Sequence, residues 1–341
     1  MIGKNIKYYR LSRNMSLQDL ADRVGLNKMA ISNYENGKRE PKLEICQKIA
    51  DALNVSLAKL ISKYGNDLAV ERGPFRKNAR LSNDKTQLVF GQEDRYLGRL
   101  FDIVSLLGDA SLPSPPEHLR IRVTDTEDAG KHLRKMLGLP LFGPVGNITD
   151  ILENNGYIVC PIDIIIEGFS GHSGRVNGRP YIAVNIHMNG ERQRFTLIHE
   201  LAHLVFLFSE DQDEERLVNE IAGAFLLPEN DIKRELGPKR RDIRGDLQFI
   251  QHEYGIASSA IVMRARQTDI ITQETYTITY RWMSANGMLK EEKHGIAPEK
   301  TNLLELLTLR AVDEEQISIS KAAEILEKPL LETRRLCFGG A

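Results

Sequence analysis

The feature that most restricts the fold of this chain is a pentapeptide near its middle, His199-Glu200-Leu201-Ala202-His203, set between apolar runs. Phe195-Thr196-Leu197-Ile198 precedes it and Leu204-Val205-Phe206 follows, with the apolar residues at helical spacing. Residues four apart on a helix share a face. The two histidines therefore project together from a helix that is buried along much of its length. Polar groups left unpaired in a core are costly, so the pattern asks for a partner common to both rings. A zinc ion held by each imidazole at about 2.0–2.1 Å meets that need. Glu200, beside the ion rather than on it, is then placed to take a proton from a zinc-bound water.

A catalytic zinc also needs a third protein ligand and an open position. The acidic stretch from Asp211 to Glu215 runs into a further helix, on which Glu215 and Asn219 are four apart. Glu214, Glu215 and Glu220 are the candidate ligands, and Asn219 is suited to orient a ligating histidine. A solvated acidic helix face competes with the ligand role for all three acids. For a donor to the transition state, His172, Tyr276 and Tyr280 are candidates, and nothing in the sequence separates them.

The flanks suggest several units. Residues 1–62 read as four or five short helices. Residues 64–83, polar and containing Gly65, Gly73 and Pro74, read as a linker. Leu97, Leu100, Phe101, Val104 and Leu107 give residues 84–107 the spacing of one more helix. The run Leu112-Pro113-Ser114-Pro115-Pro116 cannot continue a helix. Residues 118–235 read as α+β, with helices over 126–137 and 148–154, strands over 157–160 and 181–185, and a glycine-rich loop or hairpin over 168–178. Helices over roughly 192–208 and 213–226 follow, the second closed by Pro228. The strand residues Ile182 to Asn185 read as an edge able to pair with an extended peptide. Residues 240–340 read as mostly helical, with one strand pair near 276–293. Cys46, Cys160 and Cys337 are odd in number and far apart, which argues against a disulfide framework and a thiolate zinc site, and points to a reduced, cytoplasmic setting. No apolar run is long enough to span a bilayer, and the first residues lack the pattern of a signal peptide, so no membrane association is expected.

The first 62 residues hold 11 Lys+Arg against 6 Asp+Glu, a net of +5 in a chain of net −1. A basic module on an acidic body suits nucleic-acid binding. Ser16 is a natural N-cap, with Leu17, Leu20, Ala21 and Val24 on one face. Gly25 permits a tight turn. Asn27 can cap the next helix, whose inward face is Ala30, Ile31 and Tyr34, and Asn36-Gly37 stops it. Leu43, Ile45, Ile49, Ala50 and Leu53 supply a fourth helix, and Val55 to Leu60 a fifth. A helical domain used for protein docking is the competing reading.

Gln18-x-Leu20-Ala21, Gly25-Leu26, Ile31-Ser32-x-Tyr34-Glu35-Asn36-Gly37 and Ile49-Ala50-x-x-Leu53-x-Val55 together resemble the Cro/CI-type (XRE) helix-turn-helix family over residues 4–60. The resemblance implies a second helix lying in the major groove of a duplex operator. Its outward residues Lys28, Met29, Ser32 and Asn33 would face base edges, while Gln18, Asn36, Lys38 and Arg39 would contact phosphates. A homodimer on a palindrome is implied as well.

Arg194 through His203, followed by Glu215-Arg216-x-x-Asn219-x-x-Ala222-Gly223-Ala224-Phe225-Leu226-Leu227-Pro228, is similar to the ImmA/IrrE metallopeptidase family over residues 118–235, as are Gly168-Phe169-Ser170 and Ile182-Ala183-Val184-Asn185. This similarity favours Glu215 as the third zinc ligand. Val218 and Ile221 stand where the family has Ala and Phe, a departure that leaves the ligands intact. Tyr254-Gly255-Ile256-Ala257 through Arg281 to Asn286-Gly287, and residues 317–323, resemble the tail of long members that begin with an XRE module. Residues 320–331 could pass for a second DNA reader, but a packing helix pair is favoured.

The expectation is thus a mainly α chain with a small β-sheet. It comprises an all-α helix-turn-helix domain (1–62), a linker with one helix (63–117), a zincin-like α+β metallopeptidase domain (118–235) and a helical C-terminal region (236–341). The expected function is that of a DNA-binding transcriptional regulator with a zinc-dependent peptidase acting on a protein such as a repressor or antitoxin. Two alternatives stand beside it: a non-proteolytic regulator that senses metal, ligand or partner, and an antitoxin-like autoregulator.

Overall fold

Capping chemistry fixes the first helices of the computed structural model, which describes residues 2–62, 68–73, 81–116, 121–289 and 295–339. Helices α1 (Ile2–Leu11), α2 (Leu17–Val24), α3 (Lys28–Glu35), α4 (Leu43–Ala52) and α5 (Leu57–Ile61) form a small bundle. Ser16 and Asp19 close a reciprocal capping box on α2, and Gly25 ends it at φ 69; both devices satisfy backbone groups that a helix end leaves open. Asn27 caps α3. Ile6, Leu20, Ala21, Ile31, Ile49, Ala50, Leu53 and Leu60 are wholly buried between the helices. Leu43, the first residue of α4, is exposed, and Cys46, Ile49 and Ala50 supply the buried face of that helix. A buried ion pair, invisible in the apolar pattern, joins α1 to α3: Arg10 grips Glu35 with two bonds of 2.6 and 2.9 Å.

Next come β1 (Val70–Arg72), α6 (Asn83–Leu107), β2 (Ile121–Arg122), α7 (Thr126–Met136), α8 (Ile148–Asn154), β3 (Ile158–Ile162), β4 (Gly171–Val176), β5 (Arg179–Asn185), α9 (Gly190–Val205), β6 (Phe206–Leu207), α10 (Glu214–Leu226) and α11 (Glu229–Leu236). The chain continues through α12 (Leu247–Tyr254), α13 (Ser258–Gln267), α14 (Gln273–Ala285), α15 (Leu303–Asp313), α16 (Ile319–Leu326) and α17 (Leu330–Phe338).

The main sheet has the order β1-β4-β5-β3. β4 and β5 form a hairpin across Asn177 and Gly178, both at positive φ (50° and 79°), the turn that matches strand twist. β3 lies parallel to β5. Side chains alternate between the two faces of a strand, and each face builds its own core. Val159, Ile182 and Val184 pack with α7, α9 and α10. Ile158, Cys160, Ile162, Tyr181 and Ala183 pack with α6, α15 and α16 on the other side. The segment boundaries drawn at 117 and 235 therefore do not divide cores.

Four sequence expectations change here. Val70–Arg72, read as linker, is a strand on the outer edge of β4, anchored by Arg72 on Glu93 and Asp94 of α6; residues 63–67 and 74–80 of that span lie outside the described residues. β5, read as a peptide-pairing edge, is flanked by β4 and β3, so the edge strands of the sheet are β1 and β3. α9 stops at Val205 because Phe206–Leu207 pairs with β2. The strand pair near 276–293 is replaced by α14, where a Thr272 cap and packing on α13 override the β-branched composition; residues 290–293 lie outside the described residues. α16 and α17 form the packing pair, closed by Ala322, Ile325 and Thr333. Among the described residues no helix is long and apolar enough to cross a membrane.

Candidate functional site

α9 begins at an Asn189 cap and lies across β4 and β5. Its first turns are held by buried polar contacts that hydropathy gave no hint of. Glu191 accepts from Gln251 and from the Ile296 backbone, both at 2.9 Å. Arg194 pairs with Glu299 at 2.6 Å and also reaches the carbonyls of Val145, Gly146 and Gly255. Near β4, a Cβ on Gly171 would stand 2.8 Å from both Ala183 O and Thr196 Cγ2, so the close helix–strand approach requires glycine there.

This clamp fixes the pentapeptide. His199 is wholly buried and Glu200 nearly so. α10 crosses beside them and presents Glu214, Glu215 and Asn219. His199 Nδ1 lies 2.9 Å from Asn219 Oδ1, and His203 Nδ1 lies 2.8 Å from Glu214 Oε1. Amide and carboxylate oxygens accept, so both Nδ1 atoms donate. A neutral ring so held carries its lone pair on Nε2, and these two atoms face each other at 3.1 Å. Glu215 adds its carboxylate at 3.8 Å from His199 Nε2 and 3.5 Å from His203 Nε2. Ligand atoms of His199, His203 and Glu215 all lie within 4.8 Å of one another. Three electron-pair donors turned inward repel unless a cation lies among them. Two atoms bound to one zinc at about 2.0–2.1 Å stand no more than about 4.2 Å apart; the two Nε2 atoms at 3.1 Å, and Glu215 oxygens at 3.8 and 3.5 Å from them, lie inside that span, so the donor set fits zinc.

Glu214, a rival for the ligand role, instead orients His203. Glu220, the other rival, is paired with Arg216 at 2.8 Å. Ser173 of β4 donates to Glu200 Oε2 at 3.1 Å; sequence reasoning missed it, since a serine in a glycine-rich hairpin carries no signal. His172 points from the opposite face of the sheet, where it meets Glu93 at 2.7 Å, because neighbours on a strand alternate in direction. Tyr276 and Tyr280 stack on each other along α14.

On the N-terminal bundle, Gln18, Lys28, Met29, Asn36, Lys38 and Arg39 are exposed, and Ser32 and Asn33 half-buried. Met29, an apolar residue, is 68% exposed at the start of α3. Gln18 bonds to Asp22 within α2, and Asn36 folds back on Ser32.

Residues 6–60 match the helix-turn-helix family model, and residues 161–266 match the IrrE N-terminal-like domain model. Over 52 residues the chain is 36% identical to an uncharacterized HTH-type transcriptional regulator of Methanocaldococcus jannaschii, covering 79% of that protein and 15% of this one. The chain belongs to the helix-turn-helix transcriptional regulators. YqaE of Bacillus subtilis, also an uncharacterized HTH-type transcriptional regulator, is 33% identical over 67 residues, 58% of its length and 20% of this chain. The HTH-type transcriptional regulator SinR of the same organism is 34% identical over 64 residues, 58% of its length and 18% of this chain. The regulator thus spans little more than half of these Bacillus relatives, through its N-terminal bundle. A solved Mycobacterium tuberculosis transcriptional regulator overlaps 49% of this chain and 51% of its own at a TM-score of 0.33 and 16% identity, too distant to argue from. The IrrE-like segment of the regulator runs from the end of β3 through α13 and contains the whole α9–α10 pair.

Proposed function

We propose that this regulator binds a duplex operator through α2 and α3 and hydrolyses a peptide bond at a zinc ion held by His199, His203 and Glu215. The observation that carries the reading is the pair of imidazole nitrogens facing each other at 3.1 Å, each kept as an acceptor by a hydrogen bond on the far side of its ring. Bound zinc supplies Lewis acidity to the scissile carbonyl and acidity to a bound water. The chain's own residues do the rest. Asn219 and Glu214 hold the tautomers. Glu200, buried beside the ligands, takes the proton of the attacking water. Ser173 keeps the Glu200 carboxylate turned toward β4 by its 3.1 Å hydrogen bond. A protein such as a repressor or antitoxin is the proposed substrate. On DNA, Lys28, Met29, Ser32 and Asn33 face base edges and Gln18, Asn36, Lys38 and Arg39 face phosphates, in a homodimer on a palindrome.

Metal analysis of the purified chain is expected to find about one zinc per chain. Glu200→Gln is expected to abolish cleavage of proteins in a cell extract while zinc content and operator binding stay unchanged. If wild type and Glu200→Gln yield identical fragments, the peptidase reading is lost. A second reading, in which the site senses rather than cleaves, draws on α6. That helix meets α1 through Lys4–Asp94 at 3.3 Å and meets β4, which bears Ser173, through Glu93–His172 at 2.7 Å. It expects zinc removal to change operator affinity in Glu200→Gln as much as in wild type.

A further inference from the structure

Peptides commonly bind a sheet by adding a strand to its free edge. In this sheet the edge beside Glu200 is the outer side of β4, because β5 is paired on both sides. That edge is taken by the chain itself. β1 runs antiparallel to β4, with Val70 opposite Val176, Glu71 opposite Arg175 and Arg72 opposite Gly174. The pairing extends past the strand at both ends: Asn177 N–H donates to Ala69 O, and Gly73 N–H donates to Ser173 O, each at 2.9 Å. Ser173 is the residue whose hydroxyl donates to Glu200. The backbone of Gly73 is therefore bonded to the residue that touches the proposed general base.

We propose that residues 69–73 occupy, in cis, the edge on which an extended peptide substrate would pair, so that the site is covered until this segment lifts. The proposal rests on the peptidase reading above for the meaning of the site, though the covered edge itself does not. Two observations give the segment the character of a built-in occupant. Arg72 is anchored below the sheet, with Nε 2.9 Å from the fully buried Glu93, a second bond to Asp94, and its guanidinium 4.4 Å above the Phe90 ring. Gly73 leaves the room that close pairing needs, since a Cβ there would stand 2.6 Å from Ser173 O. The anchor also has a route to the DNA-binding bundle, because Asp94 is bonded by Lys4 of α1 as well as by Arg72.

The test uses a fluorescein-labelled hexapeptide, Leu-Ala-Val-Glu-Arg-Gly, which copies residues 68–73. Two full-length variants free the edge by different means. In antiparallel pairing, bonded positions alternate, so between Ala69 and Gly73 the amide of Glu71 is the one aimed at β4. Glu71→Pro deletes it. Gly73→Val drives a branched side chain against Ser173 O. Neither residue belongs to the proposed metal or catalytic set. A partner whose competent state is a minor fraction binds more weakly by that fraction. If the edge is open about a tenth of the time in wild type, both variants should bind the hexapeptide about ten-fold more tightly, with unchanged circular dichroism. Amide hydrogen exchange over 171–176 should quicken in each variant and slow again when hexapeptide is added. Equal hexapeptide affinity in wild type and both folded variants overturns the proposal, as does exchange over 171–176 that both substitutions leave untouched. Adding zinc and casein separates the two readings. Faster cleavage by the variants supports both, whereas hexapeptide binding without cleavage keeps the covered edge and counts against the peptidase.

Discussion

Replacing Arg10 by methionine should cost the N-terminal bundle about 3–5 kcal/mol, the usual loss when one partner of a buried ion pair is removed. The side chains of Arg10 and Glu35 are only 6% and 4% exposed. Their contact is two-pronged, and Arg10 also donates to the Met15 carbonyl at 2.7 Å. Methionine keeps most of the length of arginine, so little cavity forms and the loss reports an uncompensated carboxylate. A bundle of some 60 residues has on the order of 3–9 kcal/mol to lose. The variant should therefore be unfolded in its first 62 residues for a sizeable share of molecules at 37 °C. Operator binding in a gel-shift assay should fall in proportion, while zinc content stays at the wild-type level, since the proposed metal ligands lie outside this bundle's core. Urea unfolding followed by hydrogen exchange over α1 and α3 reads the stability directly. Arg10→Met with Glu35→Leu removes both charges and should recover to within about 1 kcal/mol of wild type. A double variant as unstable as the single one would refute the argument, because the cost would then be packing rather than charge.

Asn219→Ala should weaken zinc binding about ten-fold, the low end for loss of a ligand-orienting partner, since Asn219 is exposed and water can reach the vacated place; Asn219→Asp should restore it, and competition with a chromophoric chelator measures both. Glu214 is 53% exposed at its side chain, so Glu214→Ala should cost no more than about 1 kcal/mol in the same titration. Burial pushes the Glu153 carboxyl up to about 7, a rise partly offset by a hydrogen bond from Thr301. The folded state then binds the extra proton, so this group's stabilisation is present at acid pH and is lost as pH rises through about 4.5 to 7, an effect of up to about 3 kcal/mol. Glu153→Gln should flatten thermal stability across that window, and a profile that matches wild type would contradict the assignment. Lys28→Ala with Asn33→Ala should weaken binding to a preferred operator more than to random duplex, whereas Lys38→Ala should weaken both alike and lower the salt slope by about 1.

The sequence by itself determined what depends on near neighbours along the chain. Ser16, Gly25 and Asn27 announced the ends of α2 and α3 because capping acts within a few residues. His199 and His203 could be put on one face because helical geometry is local. Strands over 157–160 and 181–185 were legible from their β-branched and aromatic residues. What only the tertiary structure decided were relations between segments far apart in the chain. No local pattern says that Glu214 serves His203 while Glu215 turns inward, since adjacent helical residues differ by about 100° in direction, and the crossing of α10 over α9 selects between them. Nothing near Ser173 points to Glu200, 27 residues on. Nor does anything in residues 69–73, a polar stretch between helices, foretell a strand; only an unpaired edge on β4 and an acidic partner on α6 make it one. The physical reason is the same in each case. Backbone propensity and capping are settled by short-range sterics and hydrogen bonding, whereas strand pairing and the choice of polar partner depend on which distant groups the packed core brings within reach.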